Sequence, residues 1–315
     1  MNERAWLIAD ELERHADELH IDVRHLPCGT RVLDCGASAP GGLGAGIALS
    51  EICMGGLGHV SYATLAIGQQ HMAGVEVWTD QPVVSCMASQ YAGWAIKVGK
   101  FFAMGSGPLR AHTRTEGESD LFSRLGYTET ATRGVLVLET RATVDDAVAK
   151  HVAERARIDT AQITFVVAPT ASTAGGVQIA ARSVETGMHK MDVLGFDVTR
   201  VVHGSGSAPI PPVAANDGVA LGRTNDAILY GSVARYTVDA TDEELADLVP
   251  RMPAVSSRDY GTPFFEIFRR YEFDFYKIDP LLFSPAVVEI TSSRSGRTFQ
   301  AGRLNEEVLT RSLFG

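Results

Sequence analysis

The stretch from Ile163 to Met191 constrains the fold most. An apolar run, Ile163 to Ala168, is closed by Pro169. Small hydroxyl residues follow, Thr170, Ser172 and Thr173, and then the glycines Gly175 and Gly176. A helical pattern begins after them. Such an order predicts a strand, a tight turn and a helix start, where free backbone N–H groups can meet a polar ligand. Further along, Arg182 and Glu185 stand three apart, which a helix places on one face. Val177, Ile179, Ala180, Ala181 and Val184 surround them with apolar side chains. The expectation is that this helix carries the chemistry.

The rest of the chain alternates strand and helix patterns. Asn2 to Leu19 reads as one helix, with Leu7, Ile8, Leu12, Ala16 and Leu19 at helical spacing. Strands are expected at Val23 to Leu26 and Arg31 to Asp34, then Val60 to Leu65, Val75 to Thr79 and Trp94 to Val98. A helix capped by Asp80, with Pro82 in its first turn, is expected to run to about Ala92. Two phrases, Phe101 to Pro108 and Val202 to Pro209, share a Gly-Ser-Gly core and read as small-residue loops. Their likeness hints at two related halves. Polar residues dominate His112 to Arg133, including Gly117 and Gly126, and suggest a boundary or a long excursion. Further strands are expected at Gly134 to Leu138 and Pro285 to Ser292, the latter pairing with Arg297 to Gly302. Asn216-Asp217 and Asn225-Asp226 fit a ligand contact or a cap for a helix starting near Asp226. Phe264 to Tyr276 is dense in aromatic residues, Phe275 and Tyr276 among them, as a core or interface segment is. The pattern is α/β with some α+β character. Its spacing fits neither a Rossmann nor a barrel count. The expected division is residues 1–125 as a first domain, with 253–315 packing on it, and 126–252 as a second.

At 315 residues the chain can bury two ordinary cores, and 45% hydrophobic against 21% charged residues marks a globular protein. A net charge of −10 argues against a nucleic-acid partner. No apolar run is long enough to span a membrane, and the charged N-terminus lacks a signal-peptide pattern, so the cytosol is the expected location. Cys28, Cys35, Cys53 and Cys86 show no C-x-x-C spacing and read as structural thiols.

The candidate chemistry is narrow. Burial raises a glutamate's pKa and a nearby arginine lowers it, so an arginine-held glutamate suits the role of general base. By spacing alone, an ordinary ion pair worth about 0.2–0.5 kcal/mol is the more frequent use of such residues. His112, His189 and His203 lie near the small-residue phrases, but no histidine pair has a zinc-binding spacing, so no metal is expected. Ser106 and Ser205 do not sit in G-x-S-x-G elbows. A phosphate-binding hydrolase using Pro169 to Gly176 as an anion nest is an alternative, without a lysine or metal arranged for it.

Four phrases resemble one known family. Ser50 to Gly58 (SEICMGGLG), Gln90 to Ala111 (QYAGWAIKVGKFFAMGSGPLRA), Val166 to Met191 (VVAPTASTAGGVQIAARSVETGMHKM) and Gly222 to Ser232 (GRTNDAILYGS) are similar to methenyltetrahydromethanopterin cyclohydrolases. The likeness covers nearly the whole chain, except that Thr115 to Thr132 matches no family motif. It implies a pterin substrate, no metal or nicotinamide cofactor, two α/β domains facing a substrate cleft, and a homotrimer. The family's arginine and glutamate fall on Arg182 and Glu185. Substrate contacts are expected from Gly105, Ser106 and Gly107 and from Thr170, Ser172 and Thr173. A non-catalytic pterin-binding protein is the competing reading, although it would have no use for the pair.

Overall fold

A computed structural model describes residues 1–91, 93–114, 119–274 and 277–315, without the side chains of residues 119 and 120. The expected helix end at Ala92, Gly117 of the polar stretch, and Phe275 and Tyr276 lie outside the described residues. In chain order the strands are β1 (Asp22–His25), β2 (Arg31–Asp34), β3 (His59–Ile67), β4 (Gln70–Thr79), β5 (Trp94–Val98) and β6 (Phe101–Ser106). They continue with β7 (Gly134–Glu139), β8 (Ile163–Val167), β9 (Val201–Pro209), β10 (Val233–Val238), β11 (Val287–Ser292) and β12 (Thr298–Gly302). The architecture is mixed α/β with two six-stranded sheets.

The first unit comprises 1–59 and 84–178. Its sheet runs β1-β2-β8-β7-β6-β5, with β2, β8 and β7 parallel. β7 and β8 are apolar and buried along almost their whole length, as strands covered on both faces must be. Leu136, Leu138 and Phe165 pack with Val148, Ala149 and Val152 of helix Asp146–Ala156. On the opposite face, Val135, Val137 and Val166 pack with Ala5, Ala9 and Leu12 of helix Asn2–Arg14, and with Leu49 and Ile52 of helix Leu43–Cys53. The N-terminal pattern read as one helix breaks at His15 and resumes over Ala16–Leu19.

The second unit comprises 60–83 and 179–315. Its sheet runs β12-β11-β10-β9-β4-β3. β10 alternates buried and open positions, the mark of a sheet covered on one side. Ala234 and Tyr236 are buried, while Arg235 pairs with Glu289 at 2.7 Å on the open side.

The chain crosses between the units at 59/60, 83/84 and 178/179, whereas the sequence suggested a division near residue 125. The polar stretch there leaves and rejoins one sheet, because its flanking strands β6 and β7 are hydrogen-bonded neighbours. Residues 253–315 belong to the second unit, since β11 extends its sheet from β10.

Both Gly-Ser-Gly phrases are strands rather than loops: β6 contains Gly105 and Ser106, and β9 contains Gly204 to Gly206. Neighbouring strands on both sides supply the pairing that glycine's weak strand propensity lacks. The two sheets share a pattern around these strands. β5-β6-β7-β8 pair antiparallel, antiparallel, parallel, and β4-β9-β10-β11 repeat that order.

The helix expected after Pro82 is present, and over Val83–Gln90 it is a π-helix. Fully buried Arg110 donates from Nη2 to the carbonyls of Met87 and Ala88, each at 2.9 Å. It thereby satisfies backbone groups that the wider helix leaves available.

Candidate active site

β8 delivers the chain to the turn at 168–172 and to helix Thr173–Ala180, which already contains Gly175 and Gly176, the glycines that the sequence placed before the helix. Ser172 Oγ donates to the Pro169 carbonyl at 2.7 Å and accepts from Gly175 N–H at 3.0 Å, so it ties the turn to the helix start. A Cβ on Gly175 would lie 2.1 Å from the Pro169 carbonyl oxygen, so only glycine fits there. Thr170 Oγ1 donates to Glu139 Oε1, and Arg141 Nη2 donates to the Ala171 carbonyl at 3.2 Å. The hydroxyls of Thr170 and Ser172 therefore shape the turn, and both residues are buried. Thr173 is half-buried. Ser106 is buried beside Cys53, with its Oγ 3.5 Å from Sγ, and Gly107 takes φ +98° before helix Pro108–Thr113.

Arg182 and Glu185 lie in the second unit. They are not inside one continuous helix, as their spacing suggested. The helical pattern breaks at 181–182, and a new helix, Ser183–Val193, starts with Arg182 in the N-cap position. Ala180 and Ala181 are good helix formers, so local propensity does not account for the break. Glu185 is the third residue of the new helix, where free amides of a helix start favour a carboxylate. Arg182 Nη1 lies 3.5 Å from Glu185 Oε2, and the two side chains are 13% and 8% exposed. The pair is thus withdrawn from bulk water, unlike an ordinary surface ion pair. Thr186 N–H and Thr186 Oγ1 both donate to the Arg182 carbonyl at 2.8 Å, closing the first turn.

This helix lies unusually close to its sheet. Tyr236 of β10 donates from its hydroxyl to the Val184 carbonyl at 2.8 Å. A Cβ on Gly187 would lie 2.0 Å from that hydroxyl oxygen. On β9, a Cβ on Gly204 would meet Val184 at 2.8 Å, and one on Gly206 would meet Ser183 Oγ at 2.5 Å. The glycines of the second Gly-Ser-Gly phrase are therefore the seat of the helix that carries the pair. Sequence reading missed Tyr236, Gly187 and the buried Lys190. Lys190 was detectable, because it shares a helical phase with buried Ser183 and Gly187, seven and three positions earlier.

Other candidates have structural uses. Ala131 N–H donates to His112 Nδ1 at 3.2 Å, and His112 Nε2 contacts the Ala156 carbonyl at 2.9 Å. Asn216, not Asp226, caps helix Asp217–Gly231, by accepting from Val219 N–H. Asp226 lies inside that helix and caps a different one, accepting from Phe264 N–H at 2.8 Å at the start of helix Phe264–Arg270. Cys35, Cys53 and Cys86 are buried free thiols and Cys28 is partly buried. Burial, with Asp34 alongside, pushes the Cys35 thiol well above its ordinary pKa. Among the described residues, no group of three or more His, Cys, Asp or Glu side chains is placed to hold a metal ion. No helix among them is long and apolar enough to cross a membrane.

The family model described as Cyclohydrolase (MCH) matches residues 1–313. The chain belongs to this family. It is 43% identical over 305 residues to the methenyltetrahydromethanopterin cyclohydrolase of Methylobacillus flagellatus, covering 97% of this chain and 92% of that protein. It is 41% identical over 312 residues to the protein of the same name from Methanocorpusculum labreanum, covering 99% and 98%. The one from Methanocaldococcus jannaschii is 39% identical over 317 residues, again covering 99% and 98%. Membership in the cyclohydrolase family agrees with what the four sequence phrases implied. Such coverage also includes the polar stretch around residue 125, which those phrases left unassigned.

Proposed function

We propose that this chain reversibly hydrolyses the cationic methenyl bridge of methenyl-tetrahydromethanopterin to formyl-tetrahydromethanopterin. The observation that carries the reading is the withdrawn Arg182–Glu185 pair at a helix start, in a chain that matches its relatives from end to end.

The chemistry asks little of the protein beyond placement and a base. The bridging carbon shares positive charge with two nitrogens and is already electrophilic. It therefore calls for no metal or redox cofactor. Water attacks this carbon while Glu185 takes one of its protons. The neutral carbinolamine then collapses. The bond from carbon to the arylamine nitrogen breaks, and Glu185 returns its proton to that nitrogen. The carbinol O–H proton is released, and the formyl group remains on the pterin-ring nitrogen. One proton is liberated per bridge opened. Arginine stays protonated and cannot be the base. Arg182 orients the Glu185 carboxylate. Gly105 to Gly107 and Thr170 to Thr173 are assigned as substrate contacts. The enzyme is assigned to the cytoplasm and to a homotrimer.

The test follows the near-ultraviolet absorbance of the methenyl substrate with protein treated with EDTA. The wild type is expected to discharge it without added metal. Glu185→Gln is expected to bind substrate and to lose about 10²–10⁴-fold in kcat. Near-normal turnover by that variant would remove Glu185 from the mechanism. An inactive wild type that still binds the pterin would make the chain a carrier.

A further inference from the structure

We propose that Lys190 is a positioning residue for Glu185, acting through the helix Ser183–Val193 that carries both. The proposal rests on the reading of Glu185 as the base.

Lys190 is completely buried. Its ammonium donates to Ser256 Oγ at 3.0 Å and to the Leu281 carbonyl. Among the described residues no carboxylate lies within ion-pair distance of it; Asp279 is the neighbouring charge. A buried ammonium held by neutral acceptors is a costly way to fill space, and an apolar side chain of similar volume would do so at less cost. What the ammonium supplies is direction, because it fixes one point of the helix to two separate turns.

Those turns are themselves held together. Asp279 accepts from Ser257 Oγ at 2.7 Å, from Arg258 N–H at 3.2 Å and from Leu281 N–H at 3.1 Å. Asp259 accepts from Asp279 N–H and from the Tyr271 hydroxyl, each at 2.9 Å. The anchor that Lys190 reaches is therefore a braced network rather than a loose loop.

Geometry explains why a second anchor matters. The bond from Tyr236 to the Val184 carbonyl holds the start of the helix. That bond and the close approach of Ser183, Val184 and Gly187 to the sheet all act on the first turns of the helix. Lys190 is about 9 Å further along, at 1.5 Å per residue. It also lies roughly 140° around the axis from Glu185, so it faces away from the carboxylate. Together the two anchors fix axial position and roll, and with them the direction of the Glu185 carboxylate.

The test compares Lys190→Met, Glu185→Gln and the double variant. Lys190→Met is expected to lower kcat about 10- to 100-fold, the scale of a displacement of about 1 Å at a reacting group, with KM within about twofold of wild type. In the Glu185→Gln background the same change is expected to have no further effect, because the group it aims is gone. Wild-type kcat in Lys190→Met, or a loss that multiplies with that of Glu185→Gln, overturns the proposal. If Lys190→Met does not fold, Ser256→Ala removes one acceptor and keeps the ammonium. It is expected to lower kcat severalfold at unchanged KM, and unchanged kcat there overturns the proposal as well. A fully active Glu185→Gln variant is a different result, and sinks the base assignment itself.

Discussion

Arg182 owes its value to its shape as much as to its charge. Its guanidinium stands 3.5 Å from Glu185 in a setting where both side chains are about nine-tenths covered. A planar fork can face a carboxylate and a further acceptor at fixed angles, whereas a lysine ammonium is a point charge on a flexible stem. Arg182→Lys is expected to keep the fold and lose tenfold or more in kcat, read from the same absorbance assay. Equal kcat in that variant would show that charge alone suffices. Only part of this was visible in the sequence. The phrase from Ala181 to Gly187 places the two residues three apart, but spacing cannot tell a withdrawn pair from a surface one. Coverage depends on chain segments that the pair's own neighbourhood does not contain.

At the scale of elements, the second unit is organised by close approach. Helix Ser183–Val193 reaches its sheet because Gly187, Gly204 and Gly206 present no Cβ to it. Gly187→Ala would force the added carbon onto the Tyr236 hydroxyl, and is expected to cost about 1–3 kcal/mol of stability by urea unfolding. An unchanged midpoint would show that the helix can back away freely. A second element-level link joins helix Asp217–Gly231 to two others. Asp226 accepts from Phe264 N–H at 2.8 Å and from Ser312 Oγ at 2.5 Å, so one carboxyl holds helices Phe264–Arg270 and Glu306–Phe314. Burial pushes its pKa up to about 7, from an ordinary 3.8. Between those values the folded chain holds a proton that the unfolded chain has lost. Asp226 therefore contributes stability that is full below about pH 4 and is lost as pH rises through about 7. Asp226→Asn is expected to flatten the fall in melting temperature over that window. A variant whose melting temperature falls with pH as steeply as the wild type's would exclude this role.

At the scale of the whole molecule, each sheet is assembled from distant parts of the chain. β4 pairs with β9, and β2 pairs with β8, each across more than a hundred residues. Some strand patterns were legible: apolar runs marked β7 and β8. Sheet membership was not, because hydrogen-bond partners leave little trace in either strand's own composition. The homotrimer proposed for this chain belongs to the same scale. With a chain mass of 33.8 kDa, light scattering behind size exclusion is expected to give about three times that value, and a monomer mass at micromolar concentration would overturn the assignment.

Local physics therefore determined a great deal by itself. The order strand, Pro169 turn, helix over 163–180 follows from apolar periodicity and from small residues that bond their own backbone, which are short-range effects. Family membership was also written in contiguous phrases. The tertiary structure decided what those residues do. It turned two Gly-Ser-Gly loops into strands, because neighbouring chain segments supplied the hydrogen bonds. It placed Arg182 at the N-cap position of a new helix and withdrew it with Glu185 from water. It buried Lys190 against turns more than sixty residues away. Each of these depends on desolvation and on partners distant in sequence, and neither is a property of a residue and its immediate neighbours.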